Sequence, residues 1–453
     1  MKSCDLIVIG GGPAGYNSAE YAAKNGLSVT LFEKKRVGGT CLNVGCIPTK
    51  SLLYAAKIYH YTSEAGREYG VTTTDARMDH AKAVAKKDSV VDTLVGGVEA
   101  GLRKHKVNVI SGKASIKRDV GGFVVAVDGT AFAAKNVIVA SGSAPVMPPI
   151  EGAQEGYDKG YVLTSDEILS ITEVPRRLVI VGGGVIGMEM AAYFMEAGAH
   201  VTVIEMMDKI LGLNDREISS ILQKEMEKKG MEIILSAAVR SISRDKVFYS
   251  RGGQDGEVAF DKVLMCVGRR PNTDIDGLRE TGVSMERGAI VVDEHMRTSL
   301  TGMYAVGDVN AKLMLAHVGY RQGEVAVNDI LGQKDSMSYA AICGVVYTQP
   351  EAAFVGYSEE AARAAGLDID VRKTSINFSG RHIAENGMSS GLCKLLIDRK
   401  RDIIIGAAVL SSYASEYTYA LALMIENKIP VASIKKTVFP HPTVCEIIRE
   451  ALL

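Results

Sequence analysis

The chain has almost no net charge: 52 Lys and Arg stand against 53 Asp and Glu in 453 residues, a balance of −1. That leaves no basic surface for nucleic acid and no charge excess of the kind that keeps a tail disordered. It also lacks any run of 18 apolar residues, so no membrane span is expected, and Leu6–Ile9 is too short for a signal-peptide core and runs straight into glycines. Cysteine is sparse, and the seven present are an odd number over a long chain, unlike a secreted disulfide framework. A reducing, cytoplasmic setting is expected. Low-complexity segments are absent, and no metal is expected. The length and the 47% hydrophobic content allow about three domains, each with its own core.

What is present is concentrated in a few places. CDLIVIGGGPAGYNSAEYAAKNGLSVTLFEK reads as strand, turn, helix and strand, with Gly10, Gly12 and Gly15 in GxGxxG spacing and Glu33 closing the second strand. This is a dinucleotide-binding βαβ unit. Gly10 allows the turn, Gly12 lets a pyrophosphate approach the helix N-terminus, Gly15 lets helix and strand pack, and Glu33 is placed for ribose hydroxyls. RLVIVGGGVIGMEMAAYFMEAGAHVTVIEMMD repeats the pattern with Gly182, Gly184, Gly187 and Glu205. In both copies the acid lies 23 residues after the first glycine, and each unit closes with an apolar strand and a glycine, Gly142 and Gly268. Glu205, followed by two methionines and no arginine, favours NAD over NADP, because a carboxylate repels a 2′-phosphate.

Between the two units lies GGTCLNVGCIPTK, with Cys41 and Cys46 five residues apart. On a straight helix these cysteines would be separated by roughly 7.5 Å along the axis, beyond the usual disulfide Cα separation of about 4.4–6.8 Å. The glycines around the pair therefore imply a distorted turn and a bridge that is redox-active rather than structural. Near the C-terminus stands FPHPTVCEIIREALL, with His441 and Glu446.

Together these motifs resemble the flavoprotein disulfide reductase family over essentially the whole chain, and within it the branch that oxidises dihydrolipoyl groups. The resemblance implies an α/β fold: two Rossmann-like dinucleotide-binding domains and a C-terminal α+β interface domain. The expected boundaries are 1–147 for FAD binding, 148–267 for NAD binding, 268–336 for a segment completing the FAD site and 337–453 for the interface. The stretch from Thr49 to Lys104 is expected to be helical.

The resemblance also implies roles. Cys41 and Cys46 form the redox disulfide, with Cys46 on the flavin side, and Lys50 lies beside the flavin, paired to Glu189. Asp308 in TGMYAVGDVN bonds FAD, and Ala316 in LMLAHVG lies next to the ring. His441 acts as the base, with Glu446 on its other ring nitrogen, and reaches the disulfide of a neighbouring subunit in a homodimer. A thiol must lose its proton to attack a disulfide, and an imidazole can accept it near neutral pH. Electrons then pass from a protein-bound dihydrolipoyl group to NAD⁺. The resemblance implies a partner that carries the lipoyl arm, an acyltransferase of a 2-oxoacid dehydrogenase complex or a glycine cleavage H-type protein, and no lipoyl domain in this chain is expected to tie it to one of them. The alternative is another NAD(P)H-dependent disulfide reductase, of glutathione or mercuric type. Glu205 disfavours the first, and the EALL ending, without a cysteine pair, disfavours the second. Two residues depart from the family pattern: Phe439 replaces a histidine common before the HPT motif, and Cys445 precedes Glu446, as an inert thiol or a site of oxidation.

Overall fold

The computed structural model describes residues 2–62 and 66–453; Met1 and residues 63–65, the latter within the expected 49–104 helical stretch, lie outside the described residues. Two sheets carry the fingerprints. In the first, five parallel strands run in the order Met303–Ala305, Asn136–Val139, Leu6–Ile9, Val29–Glu33, Asn108–Ser111. In the second the order is Val162–Thr164, Lys262–Met265, Arg177–Val181, His200–Ile204, Glu232–Ile234, again parallel. In both, the fingerprint strand is central, with the strand ending in the acid on one side and the closing strand on the other. All of Leu6–Ile9 is buried, which is why it reads as a continuous apolar run: a parallel strand has both faces covered. Ile9 pairs with Phe32 and Val139, and Val181 with Ile204 and Met265, so the carboxyl ends of three strands come level at each glycine turn.

The repeat extends beyond what the motifs disclose. Each unit inserts a three-stranded antiparallel meander before its closing strand: Ser115–Asp119, Gly122–Val127 and Thr130–Ala134 in the first, Ala237–Ile242, Lys246–Arg251 and Gln254–Ala259 in the second. The chain leaves the first unit along Ser143–Pro145 and returns along Arg269–Pro271, and these strands pair antiparallel. Exit and return therefore form one two-stranded joint. After it, Met303–Ala305 completes the first sheet and the helix Ala316–Ile330 packs on the fingerprint helix Pro13–Lys24. Glycine allows this approach: a Cβ on Gly323 would come within 2.3 Å of the Ser18 hydroxyl.

The remainder is an antiparallel sheet, ordered Cys343–Val346, Glu351–Gly356, Ile403–Ser411, Leu392–Asp398, Ile369–Ser375. The strand Ile403–Ser411 is buried at every position, beneath the helices Ala414–Glu426 and Ile447–Leu452. Among the described residues no helix is long and apolar enough to cross a membrane.

Candidate active site

One continuous cleft of about 2630 Å³ runs from the first fingerprint to the second. Gly10, Gly12, Glu33, Cys41, Cys46, Lys50, Gly142, Gly182, Gly184, Glu189, Glu205, Gly268, Asp308 and Ala316 all line it. Gly15 and Gly187 do not; they lie beneath the turns, where a Cβ would come within 1.8 Å of Gly10 O and 2.1 Å of Gly182 O.

The two turns have the same backbone form. Gly10 and Gly182 both have φ of +107°, and a Cβ there would meet Ala140 O at 2.3 Å and Cys266 O at 2.4 Å, so only glycine fits. The helices that follow, Pro13–Lys24 and Val185–Glu196, begin at Gly12 and Gly184 with no side chain capping them. Their first N–H groups are left for an anion. Gly184 has nothing within 4 Å of where a Cβ would stand, and Gly12 only Gly39 Cα at 3.7 Å, so a pyrophosphate can approach the backbone. Each acid is held alike: Glu33 accepts from Gly11 N at 2.6 Å and Lys35 N at 2.8 Å, Glu205 from Gly183 N at 2.6 Å and Met207 N at 2.7 Å. Two dinucleotides fit these cradles.

The thiols sit where a helix breaks. Gly39–Val44 is one helix and Cys46–His60 another, and Gly45 between them has φ −146° and ψ −115°. A Cβ on Gly45 would stand 2.8 Å from Thr40 O. Cys41 and Cys46 are free thiols here and hydrogen-bond each other. That bond draws Cys46 down to about 7, against its burial and with help from the Lys50 ammonium. The same bond, with burial, pushes Cys41 up, so the two thiols titrate as one coupled pair at the wall of the cleft.

Lys50 lies four residues on, along the same helix. Its Nζ donates to Glu189 Oε1 at 3.0 Å and Oε2 at 2.8 Å, and stands 4.3 Å from the centre of the Tyr347 ring. Glu189, on the second fingerprint's helix and 3% exposed, also accepts from Tyr347 N at 3.0 Å. The ammonium is thus fixed where the first fingerprint unit, the second and the C-terminal antiparallel sheet meet.

Asp308 lies in a short turn after Met303–Ala305 and accepts from Ser143 Oγ at 2.5 Å; Arg269 Nε donates to the same hydroxyl at 2.8 Å. Buried Gln322 holds this turn from the neighbouring helix, accepting from Gly307 N at 2.7 Å and Asn310 Nδ2 at 3.0 Å. Sequence reasoning missed Ser143, Arg269, Gln322 and Tyr347. Arg269 in GRRPN, following Gly268, was the one local signal available; the others act through partners far away in the chain.

His441 and Glu446 are together but outside the cleft. Nδ1 of His441 lies 2.9 Å from Glu446 Oε1, and Glu446 Oε2 accepts from Thr443 N at 2.8 Å. Burial opposes ionisation of Glu446, but the Thr443 N–H and His441 outweigh it and lower its pKa. The carboxylate holds Nδ1–H, so Nε2 is the nitrogen that can accept a proton. The His441 side chain is 76% exposed.

Two nucleotide cradles meeting at a dithiol, with a carboxylate-held histidine apart, define a pyridine nucleotide-linked thiol oxidoreductase. The comparisons narrow this. Residues 4–323 match the pyridine nucleotide-disulphide oxidoreductase family and residues 342–452 its dimerisation domain, and the chain belongs to that family. It is 38% identical to the dihydrolipoyl dehydrogenase of Mycoplasma pneumoniae, over 98% of this chain and 97% of that one. It is also 38% identical to the enzyme of that name from Thermus scotoductus, over 100% of this chain and 97% of the other. Among solved structures it resembles a Cu(II) complex of the HOCl-induced flavoprotein disulfide reductase RclA of Escherichia coli. There the TM-score is 0.87 and the identity 27%, over 100% of this chain and 99% of that one. The dimerisation domain supports a homodimer.

Proposed function

We propose that the protein is a dihydrolipoyl dehydrogenase, oxidising protein-bound dihydrolipoyl groups with NAD⁺ on FAD. The observation that carries this is the Cys41/Cys46 pair lining one cleft with two dinucleotide cradles, the second of which carries Glu205, a carboxylate that repels a 2′-phosphate. Full-length likeness to proteins of that name supports it.

Gly10 and Gly12 would cradle FAD, with Gly15 packed beneath their turn, and Glu33, Gly142, Asp308 and Ala316 would line the rest of its site. Gly182, Gly184, Glu205 and Gly268 would hold NAD, with Gly187 packed beneath their turn. When bound, FAD supplies the path by which an electron pair moves from thiols to nicotinamide. The protein supplies the thiol and proton chemistry. In the oxidised enzyme Cys41 and Cys46 are joined. His441 Nε2 of one subunit takes the proton of a dihydrolipoyl thiol, and the resulting thiolate attacks Cys41 Sγ of the other. The Cys41–Cys46 bond breaks, and Cys46 leaves as a thiolate, which the nearby Lys50 ammonium favours. The second dihydrolipoyl thiol then loses its proton to solvent and displaces Cys41, which takes the first proton back from His441 as it leaves, and the lipoyl disulfide departs. Lys50, steadied by Glu189, keeps positive charge beside the Cys46 thiolate.

His441 lies outside its own chain's cleft, which favours a site shared across the dimer. A lipoyl arm carried by an acyltransferase of a 2-oxoacid dehydrogenase complex, or by a glycine cleavage H-type protein, is the proposed partner. The seven free cysteines accord with a reducing cytoplasm. The test is NADH formation from dihydrolipoamide by FAD-loaded protein: the wild type turns over, while Cys41→Ser retains FAD and loses turnover. Activity near wild type in Cys41→Ser would reject the mechanism.

A further inference from the structure

The segment between Glu205 and Asp215 forms a wall of the cleft at the second fingerprint, where Met206, Met207, Gly212 and Asn214 face the cavity. Leu211 N donates to Gly183 O at 2.8 Å, so this wall rests directly on the glycine turn, and Lys209 Nζ and Asn214 Nδ2 tie it internally. Its far end is anchored from another domain. Lys394, on the interface-domain strand Leu392–Asp398, has a side chain only 3% exposed. Its Nζ lies 2.9 Å from Asp215 Oδ2, 2.9 Å from Glu217 Oε2 and 2.9 Å from Glu359 Oε2.

This cluster is balanced. Glu217 has a second cation in Lys373 at 2.7 Å, and Glu359 one in Arg363 at 2.8 Å, so three positive groups face three carboxylates. Asp215, 1% exposed, has Lys394 as its cation and also caps the helix Arg216–Lys228, accepting from Glu217 N at 3.1 Å and Ile218 N at 3.2 Å. A buried ion group of this kind repays its desolvation only when it is complete. Without the ammonium, Asp215 is a buried carboxylate beside two others, and the cheapest relief is to move its helix start and the wall attached to it.

We propose that Lys394 is a positioning residue for the nicotinamide nucleotide. Through Asp215 it holds the 206–215 wall against the second fingerprint, so the interface domain sets the affinity for the nucleotide's adenosine half. The inference rests on the NAD assignment made above and goes beyond it by naming what shapes that site from outside its own domain.

The test is isothermal titration of ADP-ribose into the FAD-loaded dimer, a readout independent of turnover, for wild type, Lys394→Met, Lys394→Arg and Asp215→Asn. Lys394→Met weakens ADP-ribose binding about tenfold, within the range remote positions exert on a site, and Lys394→Arg restores most of it. KM for NAD⁺ rises in parallel, while kcat and KM for dihydrolipoamide stay within about twofold. Unchanged ADP-ribose affinity in folded Lys394→Met, even with a lowered melting temperature, overturns the proposal and leaves a purely structural joint. Should Lys394→Met not fold, Asp215→Asn, which keeps the helix-capping oxygen but removes the charge that Lys394 grips, decides: about threefold weaker binding supports the proposal and unchanged binding overturns it. Wild-type protein that bound no ADP-ribose would reject the nucleotide assignment itself, and this inference with it.

Discussion

Cys46 shows how a local bend turns an ordinary thiol into a reactive one. Gly45 breaks the helix, the break lets Cys41 hydrogen-bond Cys46, and Lys50 one turn on adds a positive charge. A thiol drawn down to about 7 ionises as the pH rises through that value, so in reduced protein the thiolate dominates above it and falls about tenfold per unit below. Alkylation of reduced protein by iodoacetamide, followed by mass spectrometry, should therefore label the Cys41/Cys46 pair with a first midpoint near pH 7. Lys50→Met should move that midpoint up, since the ammonium is one of its causes; a midpoint unmoved would remove Lys50 from the account. The cysteines and fingerprint glycines were legible in the sequence because their constraints are local: a φ of +107° admits glycine and little else. Ser143, Gln322 and Lys394 were not, because each acquires its meaning from a partner on another element.

Elements in this molecule serve to present ends. Two parallel sheets bring strand carboxyl ends level with helix N-termini, and the turn Gly307–Asn310 is added from a strand that follows the inserted second unit. That turn depends on Gln322. Replacing it with leucine leaves the Gly307 N–H without its acceptor and takes one from Asn310 in a buried place, at a cost of about 1–3 kcal/mol. Gln322→Leu should lower the melting temperature and lose FAD on dialysis faster than wild type; equal FAD retention would mean the turn holds without it. Fold class was legible at this scale, since two buried apolar runs with alternating helices specify parallel sheets. The meanders were not, because their alternating strands carry no motif. The two-stranded joint at Ser143–Pro145 and Arg269–Pro271 was only half legible: the prolines marked a crossing, but the return strand gave no sign of pairing with it.

At the scale of the whole molecule, one chain holds every residue of the cleft but leaves its histidine exposed on another face. If sites are composite, subunits carrying Cys46→Ser and subunits carrying His441→Gln, each inactive alone, should regain activity when unfolded together and reassembled. Random pairing makes half the dimers mixed, each with one intact site of two, so recovery should reach about a quarter of wild type. No recovery, with mixed dimers shown to form, would place the histidine and the thiols of one site in a single subunit. The apolar residues Phe378, Met388 and Val438, exposed on the single chain, are candidates for the surface that such pairing covers.

The central claim is that electrons run from a dihydrolipoyl dithiol to NAD⁺. The most direct measurement compares initial rates of NAD⁺ reduction by dihydrolipoamide with those of NADPH oxidation by glutathione disulfide, on the same FAD-loaded preparation. Fast NADH formation with little NADPH oxidation is the expected result, because Glu205 accepts a ribose diol and repels a 2′-phosphate. Fast NADPH oxidation with little NADH formation would contradict the account, leaving the fold and the dithiol in place while removing both the substrate and the nucleotide assigned to them.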